Sequence, residues 1–253
     1  MREDAVSIPA ATVIVMRDRV DGPPELLMVE RAQSMAFAGG ALVFPGGRID
    51  PGDRLLAAMI APDDVDEAAH RIAAIRETIE EAGIALALDP APDTAALAEI
   101  RARLHAGDPF AAALTAAGTT IVLDQLVPLA RWLPTGLPHR VFDTRFYLAQ
   151  LAPGAPDPVA DQGETTRAFW ATAADVLAQA DAGRATIIFP TRRNLERLAQ
   201  HRSHAEAVAD ARAHPVRPIT PWVEDHDGTA HLCIPDDLGY PVVTQRLRDA
   251  RRS

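Results

Sequence analysis

The stretch "IRETIEEAG", residues Ile75–Gly83, decides how this chain is read. It places three glutamates, Glu77, Glu80 and Glu81, within little more than one helical turn and then stops at Gly83. Residues three and four apart share a helix face, and like charges at that spacing destabilise an isolated helix. At about 100° per residue, Ile72, Ile75, Ile79 and Ala82 form one stripe and the glutamates fall on the opposite side. An ordinary surface helix also sets charge against an apolar stripe. The helix alone therefore leaves two readings open, a solvated face or a carboxylate cluster that repels until a cation arrives.

The flanks favour the cluster. Upstream runs "FAGGALVFPGGRIDPGD", residues 37 to 53, where glycine and proline impose close backbone approach and unusual dihedrals. Loops of this kind cradle phosphate oxygens with backbone N–H groups. A hard cation such as Mg²⁺ takes oxygen ligands at about 2.0–2.1 Å, usually a few carboxylates, water and substrate phosphate. Two cations could share the cluster, one activating water and one neutralising charge on the leaving group. The helix itself is predicted over residues 65 to 82, with Asp64 as N-cap, Glu67 completing a capping box and Gly83 ending it.

At 253 residues, 48% hydrophobic and 24% charged, the chain is long enough for one large or two small domains. Its formal net charge of −10 argues against a nucleic-acid or membrane-surface binder. Every basic residue counted with arginine and lysine is arginine, which fits GC-rich bacterial codon usage. Cys233 is the only cysteine, so no internal disulfide forms, and a reducing cytoplasm is expected. The N-terminal "AATVIVMRD" reads as a buried strand, too short to span a bilayer and without a signal-peptide layout.

Along the chain, "ATVIVMRD" (11–18) and "ELLMVERA" (25–32) read as a hairpin joined by "RVDGPP". Residues 92 to 117 read as two helices of a helical insertion spanning about 90–118. Phe142, Thr144, Phe146 and Leu148 alternate as strand positions do. Residues 171–183 and 190–201 are helical in pattern, and the segment from about 215 reads as an irregular or hairpin extension. Strands interleaved with helices indicate an α/β (α+β) fold.

The ordered set Gly47, Asp53, Arg76-Glu77, Glu80-Glu81, Gly83 and Ile84 resembles the Nudix box. Asp53 stands where the pattern has Glu, Thr78 takes an apolar position, and 22 residues separate Asp53 from Arg76 where the pattern has seven. The resemblance implies a single Nudix domain over 1–253, a mixed β-sheet sandwiched between helices. It also implies hydrolysis of a nucleoside diphosphate linked to another group, with Mg²⁺ or Mn²⁺. Glu77, Glu80 and Glu81 would be the metal ligands, Glu81 chief among them, and Arg76 would hold the carboxylates or loop in place.

Upstream, Arg31, Ala32, Gly40 and Phe44-Pro45-Gly46-Gly47 fall in register with the signature of coenzyme A diphosphatases, while Ala36 occupies the place of its second arginine. The expanded box, "FDTRFYLA" and "PTRRNLERL" resemble the acyl-coenzyme A diphosphatase-like branch. This implies coenzyme A or acyl-coenzyme A as substrate, cleaved to 3′,5′-ADP and (acyl-)phosphopantetheine. ADP-ribose or ADP-sugars, dinucleoside polyphosphates and a non-catalytic nucleotide-sensing domain are the alternatives. Water oriented by Glu80, Glu81 or Glu164 would attack phosphorus. Arg31, Gly46, Gly47 and Arg145 are the expected substrate contacts, and Trp132 and Phe146 could stack a base or pack in the core. The expected partner is a small nucleotide-diphosphate molecule, with neither nucleic acid nor membrane; a homodimer is compatible with the sequence and not required. The eight histidines show no metal-ligand spacing, which argues against zinc, and Cys233 reads as a packed residue.

Overall fold

The computed structural model describes residues 7–35, 37–134, 141–151 and 156–250. Ala36, the position expected to weaken phosphate contact, lies outside the described residues. The chain opens with the predicted hairpin, β1 (Ile8–Arg17) and β2 (Glu25–Arg31), followed by two short strands, β3 (Ala41–Val43) and β4 (Gly46–Arg48). Helix α1 (Pro51–Ile60) comes next, then α2 (Val65–Ala82). The insertion is β5 (Leu88–Asp89), α3 (Thr94–His105), α4 (Phe110–Ala117) and β6 (Thr120–Ile121). Strands β7 (Val127–Trp132), β8 (Phe142–Gln150) and β9 (Thr165–Thr172) return to the main sheet. They are followed by α5 (Ala173–Asp181), β10 (Thr186–Ile187), α6 (Phe189–Leu198), α7 (His204–Ala213) and β11 (Pro218–Ile219). The last elements are β12 (Trp222–His226), β13 (Thr229–Cys233), β14 (Thr244–Arg246) and α8 (Leu247–Ala250).

The main sheet is mixed, ordered β10-β3-β2-β1-β8-β7-β11, with β4 also paired to β1 and β9 to β2. Strand β1 is central: it runs parallel to β8 and antiparallel to β2 and β4. Buried on both faces, it reads as a nearly unbroken run of β-branched and apolar residues. Ala11, Val13 and Val15 face one core with α2 and the insertion helices, while Ile14 and Met16 face a second core with α5, α6 and α7. Helices thus cover both faces of the sheet. The 22 residues between Asp53 and Arg76 are mostly helix: α1 packs along α2, whose predicted start at residue 65 lies within this segment. The C-terminal segment forms a separate three-stranded sheet, β12-β13-β14. Among the described residues, no helix is long and apolar enough to cross a membrane.

Candidate active site

Helix α2 begins and ends where its sequence dictates. The Asp64 carboxylate accepts from the Glu67 amide at 3.3 Å, and Gly83 takes the left-handed conformation, φ +64°, that ends the helix. Ile72, Ile75 and Ile79 are fully buried against the sheet. Each such side chain contributes roughly 1.5–3 kcal/mol, which outweighs the few tenths of a kcal/mol lost for each like-charge pair. The apolar stripe therefore holds in place a helix whose other side is strained by its own charge.

That side is organised by Arg76, itself buried. Its Nε and Nη2 donate to the two oxygens of Asp53 at 3.0 Å each. Nη1 donates to Glu77 and to Glu80, both at 3.0 Å, and Nη2 also reaches the carbonyl of Arg48 at 3.1 Å. The planar five-donor fork is suited to this task. Asp53, 1% exposed, does not join the glutamates in the cleft; its Oδ2 also accepts from the Asp50 amide at 2.9 Å and fixes the start of α1. Thr78, the departure at an apolar position, is buried because its hydroxyl donates back to the Ala74 carbonyl at 2.7 Å.

The loop glycines correct one expectation. Their role toward phosphate was inferred from free amides, but Gly46 donates its N–H to Glu81 Oε2 at 3.0 Å. Strand β4 pairs with β1, Gly46 opposite Thr12 and Gly47 opposite Ala11. A Cβ on Gly47 would stand 2.2 Å from the Glu77 carboxylate. Both glycines line the cleft; Gly46 gives its amide to Glu81, and Gly47 leaves the room that Glu77 fills.

Burial and mutual repulsion raise these carboxyls. Desolvation lifts Glu77 to about 7, opposed by Arg76 and reinforced by Glu80 and Glu164. Burial lifts Glu80 as well, with Arg76 opposing it. Glu81, fully enclosed and beside Glu77, is pushed well above the carboxylate range. Its Oε1 is buried with no hydrogen-bond partner; the nearest cation, Arg31 Nη1, is 3.7 Å away. A buried acceptor without a partner is costly, and a cation would satisfy this one. The hard-oxygen donor set Glu77, Glu80 and Glu81 fits Mg²⁺ or Mn²⁺.

Glu164 is exposed at the rim of the same cleft. A tight turn holds it: Asp161 accepts from the amides of Gly163, Glu164 and Thr165 and from the Thr165 hydroxyl; burial raises its carboxyl, but these donors together outweigh that and keep it below the usual range. The Thr165 hydroxyl also lies 3.0 Å from the Glu81 carbonyl, tying the turn to α2. His105, at the end of α3, reaches the Glu80 carbonyl at 3.3 Å and lines the cleft. Sequence spacing offered no sign of Asp161, Thr165 or His105, because each comes from a different element.

Arg145 is the second correction. Along β8 the residues facing the cleft are Phe142, Thr144 and Phe146, so Arg145 turns to the other face. There it donates to Glu67 at 2.6 Å and to Asp66, on the first turn of α2. Trp132 is core: it is 1% exposed, its Nε1 donates to Tyr240 at 3.2 Å, and its ring meets Phe189 and Tyr240 edge-on. Phe146 is likewise buried in the cleft wall. The exposed aromatic is Phe37, with its ring centre 5.4 Å from that of Phe142.

The cleft measures about 600 Å³ and has a mixed lining of charged and apolar side chains. Arg31, Arg48, Glu77, Glu80, Glu81 and Glu164 are among the charged members; Met35, Phe37, Phe44, Trp132, Phe142 and Phe146 are among the apolar members. Arg48 is exposed and forms no ion pair among the described residues.

No family model matches the chain. Among solved structures it resembles a NUDIX hydrolase from Alicyclobacillus acidocaldarius, at 29% identity and a TM-score of 0.69, over 81% of this chain and 96% of that one. It also aligns with the NUDIX domain of Shewanella oneidensis NrtR complexed with ADP ribose, at 13% identity and TM-score 0.44 over 77% and 87% of the two chains. An Ap4A hydrolase from C. elegans aligns at 22% identity and TM-score 0.38 over 69% and 88%.

Proposed function

This chain is a Nudix pyrophosphohydrolase, and from that premise we propose that it cleaves coenzyme A or an acyl-coenzyme A at the diphosphate, releasing 3′,5′-ADP and (acyl-)phosphopantetheine. The observation that supports this substrate is the mixed lining of the cleft, in which the glutamates and arginines share one cavity with Met35, Phe37, Phe44, Phe142 and Phe146. A diphosphate joined to a long, partly apolar arm needs both kinds of lining at once, and concave sites combine apolar walls with a few placed polar groups in this way.

Glu77, Glu80 and Glu81 would hold Mg²⁺ or Mn²⁺. When bound, such a cation lowers the pKa of the attacking water and neutralises charge on the diphosphate. Arg76 keeps Glu77 and Glu80 in register, and the Gly46 amide keeps Glu81 turned inward. Glu164 takes the proton from water as its oxygen attacks one phosphorus, and the bridging P–O bond breaks with its electron pair leaving on the departing phosphate. Arg31 and Arg48 bind substrate phosphate oxygens, Arg31 from the cleft wall and Arg48 from its rim.

The deciding assay presents coenzyme A, acyl-coenzyme A, ADP-ribose, NADH and dinucleoside polyphosphates with Mg²⁺ or Mn²⁺ and identifies products by mass. Phosphopantetheine and 3′,5′-ADP from coenzyme A species are expected. Turnover of ADP-ribose with coenzyme A species untouched overturns the substrate assignment, and binding without any product favours a sensing domain.

A further inference from the structure

A second cluster of metal-ligating side chains lies on the C-terminal sheet. In the β12–β13 hairpin, Trp222 pairs with Cys233, Glu224 with His231 and His226 with Thr229. Directly opposed residues share a sheet face, as do residues two apart on one strand. Glu224, His226, His231 and Cys233 therefore all project to the same side. One ligand atom from each of Glu224, His226 and Cys233 lies within 4.8 Å of the other two. His226 Nε2 is 3.8 Å from Glu224 Oε1. Linear spacing hides this group, because a hairpin brings its members together across strands.

We infer that Glu224, His226 and Cys233 form a second metal site, for a Zn²⁺-class cation, distinct from the glutamates of α2. One thiolate, one imidazole and one carboxylate make a borderline-soft set that suits Zn²⁺ and is a poor match for Mg²⁺. The surroundings orient it. His231 stacks on His226, with ring centres 4.6 Å apart and planes 22° from parallel. His231 Nδ1 lies 2.9 Å from the Thr229 carbonyl, which can only accept, so that nitrogen carries the proton and Nε2 keeps its lone pair. Cys233 is buried and has no disulfide partner.

The site also has a structural rationale. Four of the five β12 residues are exposed, Trp222 and Val223 among them. Strand β13 is anchored by buried Cys233 and by Leu232 against the second core, whereas β12 at the sheet edge has little packing of its own. An ion joining β12 to β13 would add its binding energy to the folding of this segment.

The test uses the full chain in excess Mg²⁺, so that the α2 glutamates do not compete, with Zn²⁺ and Co²⁺ as probes. Binding of about one Zn²⁺ per chain is expected, and Co²⁺ should give the near-ultraviolet thiolate-to-metal charge-transfer absorption. Cys233→Ser should abolish that band, and both Cys233→Ser and His226→Ala should weaken Zn²⁺ binding at least ~10-fold. Melting of the metal-free variants serves as the folding control, and half-exposed His226 provides a variant that does not disturb the core. Absence of the charge-transfer band in the wild-type chain, or unchanged Zn²⁺ affinity in folded His226→Ala, overturns the site.

Discussion

One guanidinium decides how the acidic residues of this cleft divide their work. Arg76 ties Asp53, Glu77 and Glu80 together and leaves Glu81 to the Gly46 amide. Removing one partner of a buried ion pair costs about 3–5 kcal/mol because the other charge is left uncompensated. Asp53→Ala should therefore destabilise the fold by about 3 kcal/mol in denaturant titration, and should raise the Mg²⁺ requirement as Glu77 and Glu80 lose their brace. Glu81→Gln should behave in the opposite way. It removes a charge that repels Glu77 and lacks a full set of partners, so metal-free melting should hold or rise while Mg²⁺-dependent turnover is lost. Wild-type-like turnover in that variant would remove Glu81 from the chemistry. The glutamates were legible in the sequence because they are near neighbours on one helix. The importance of Asp53 was not, since its partner lies 23 positions away and only the folded chain shows them in contact.

At the scale of elements, helix α2 has the bounds its sequence predicts, because the N-cap, periodicity and terminal glycine are local signals, but the capping box forms only by half: the Glu67 carboxylate turns to Arg71 and Arg145. What local signals could not supply was direction. The alternation in β8 was plain, but which of its two faces meets the cleft depends on the neighbours it acquires, and Arg145 falls on the face of α2. Arg145→Ala should accordingly leave KM for the substrate within about twofold and lower stability by roughly 1 kcal/mol, the scale of a partly exposed ion pair. A rise in KM of tenfold or more with stability unchanged would put it back in the binding site. Strand β4 gives the converse case. Gly47→Ala would push a methyl group into the Glu77 carboxylate; the side chain can swing away, so folding should survive while half-saturation by Mg²⁺ rises at least ~10-fold. An unchanged metal requirement would mean that Glu77 is not a ligand. Helices α1 and α7 escaped the sequence reading: the first follows a loop dense in glycine and proline, and the second is alanine-rich with little amphipathic contrast.

Over the whole molecule, two helical layers and a mixed sheet hold the carboxylates against their own repulsion, and that strain should appear as a dependence of stability on pH. The Glu77 carboxyl is raised from 4.5 to about 7 in the folded chain. As pH climbs through that interval the unfolded chain gives up the proton first, so stability falls with rising pH. At about 1.4 kcal/mol per unit, this one group accounts for up to roughly 3 kcal/mol. Metal-free protein should melt about 5–10 °C lower at pH 8 than at pH 5, and Mg²⁺ should raise the melting temperature more at pH 8. Equal shifts at both values would show that the carboxylates ionise independently of the fold. A different lesson comes from α1. Asp53 and Arg76 are 3.0 Å apart whatever joins them through the chain, so the length of that connection is invisible to the chemistry and free to drift. This chain has filled it with a helix whose Leu55, Met59 and Ile60 face outward, which makes an interrupted motif a permissive port: sequence can be added, exchanged or shortened there while the two ends remain clasped.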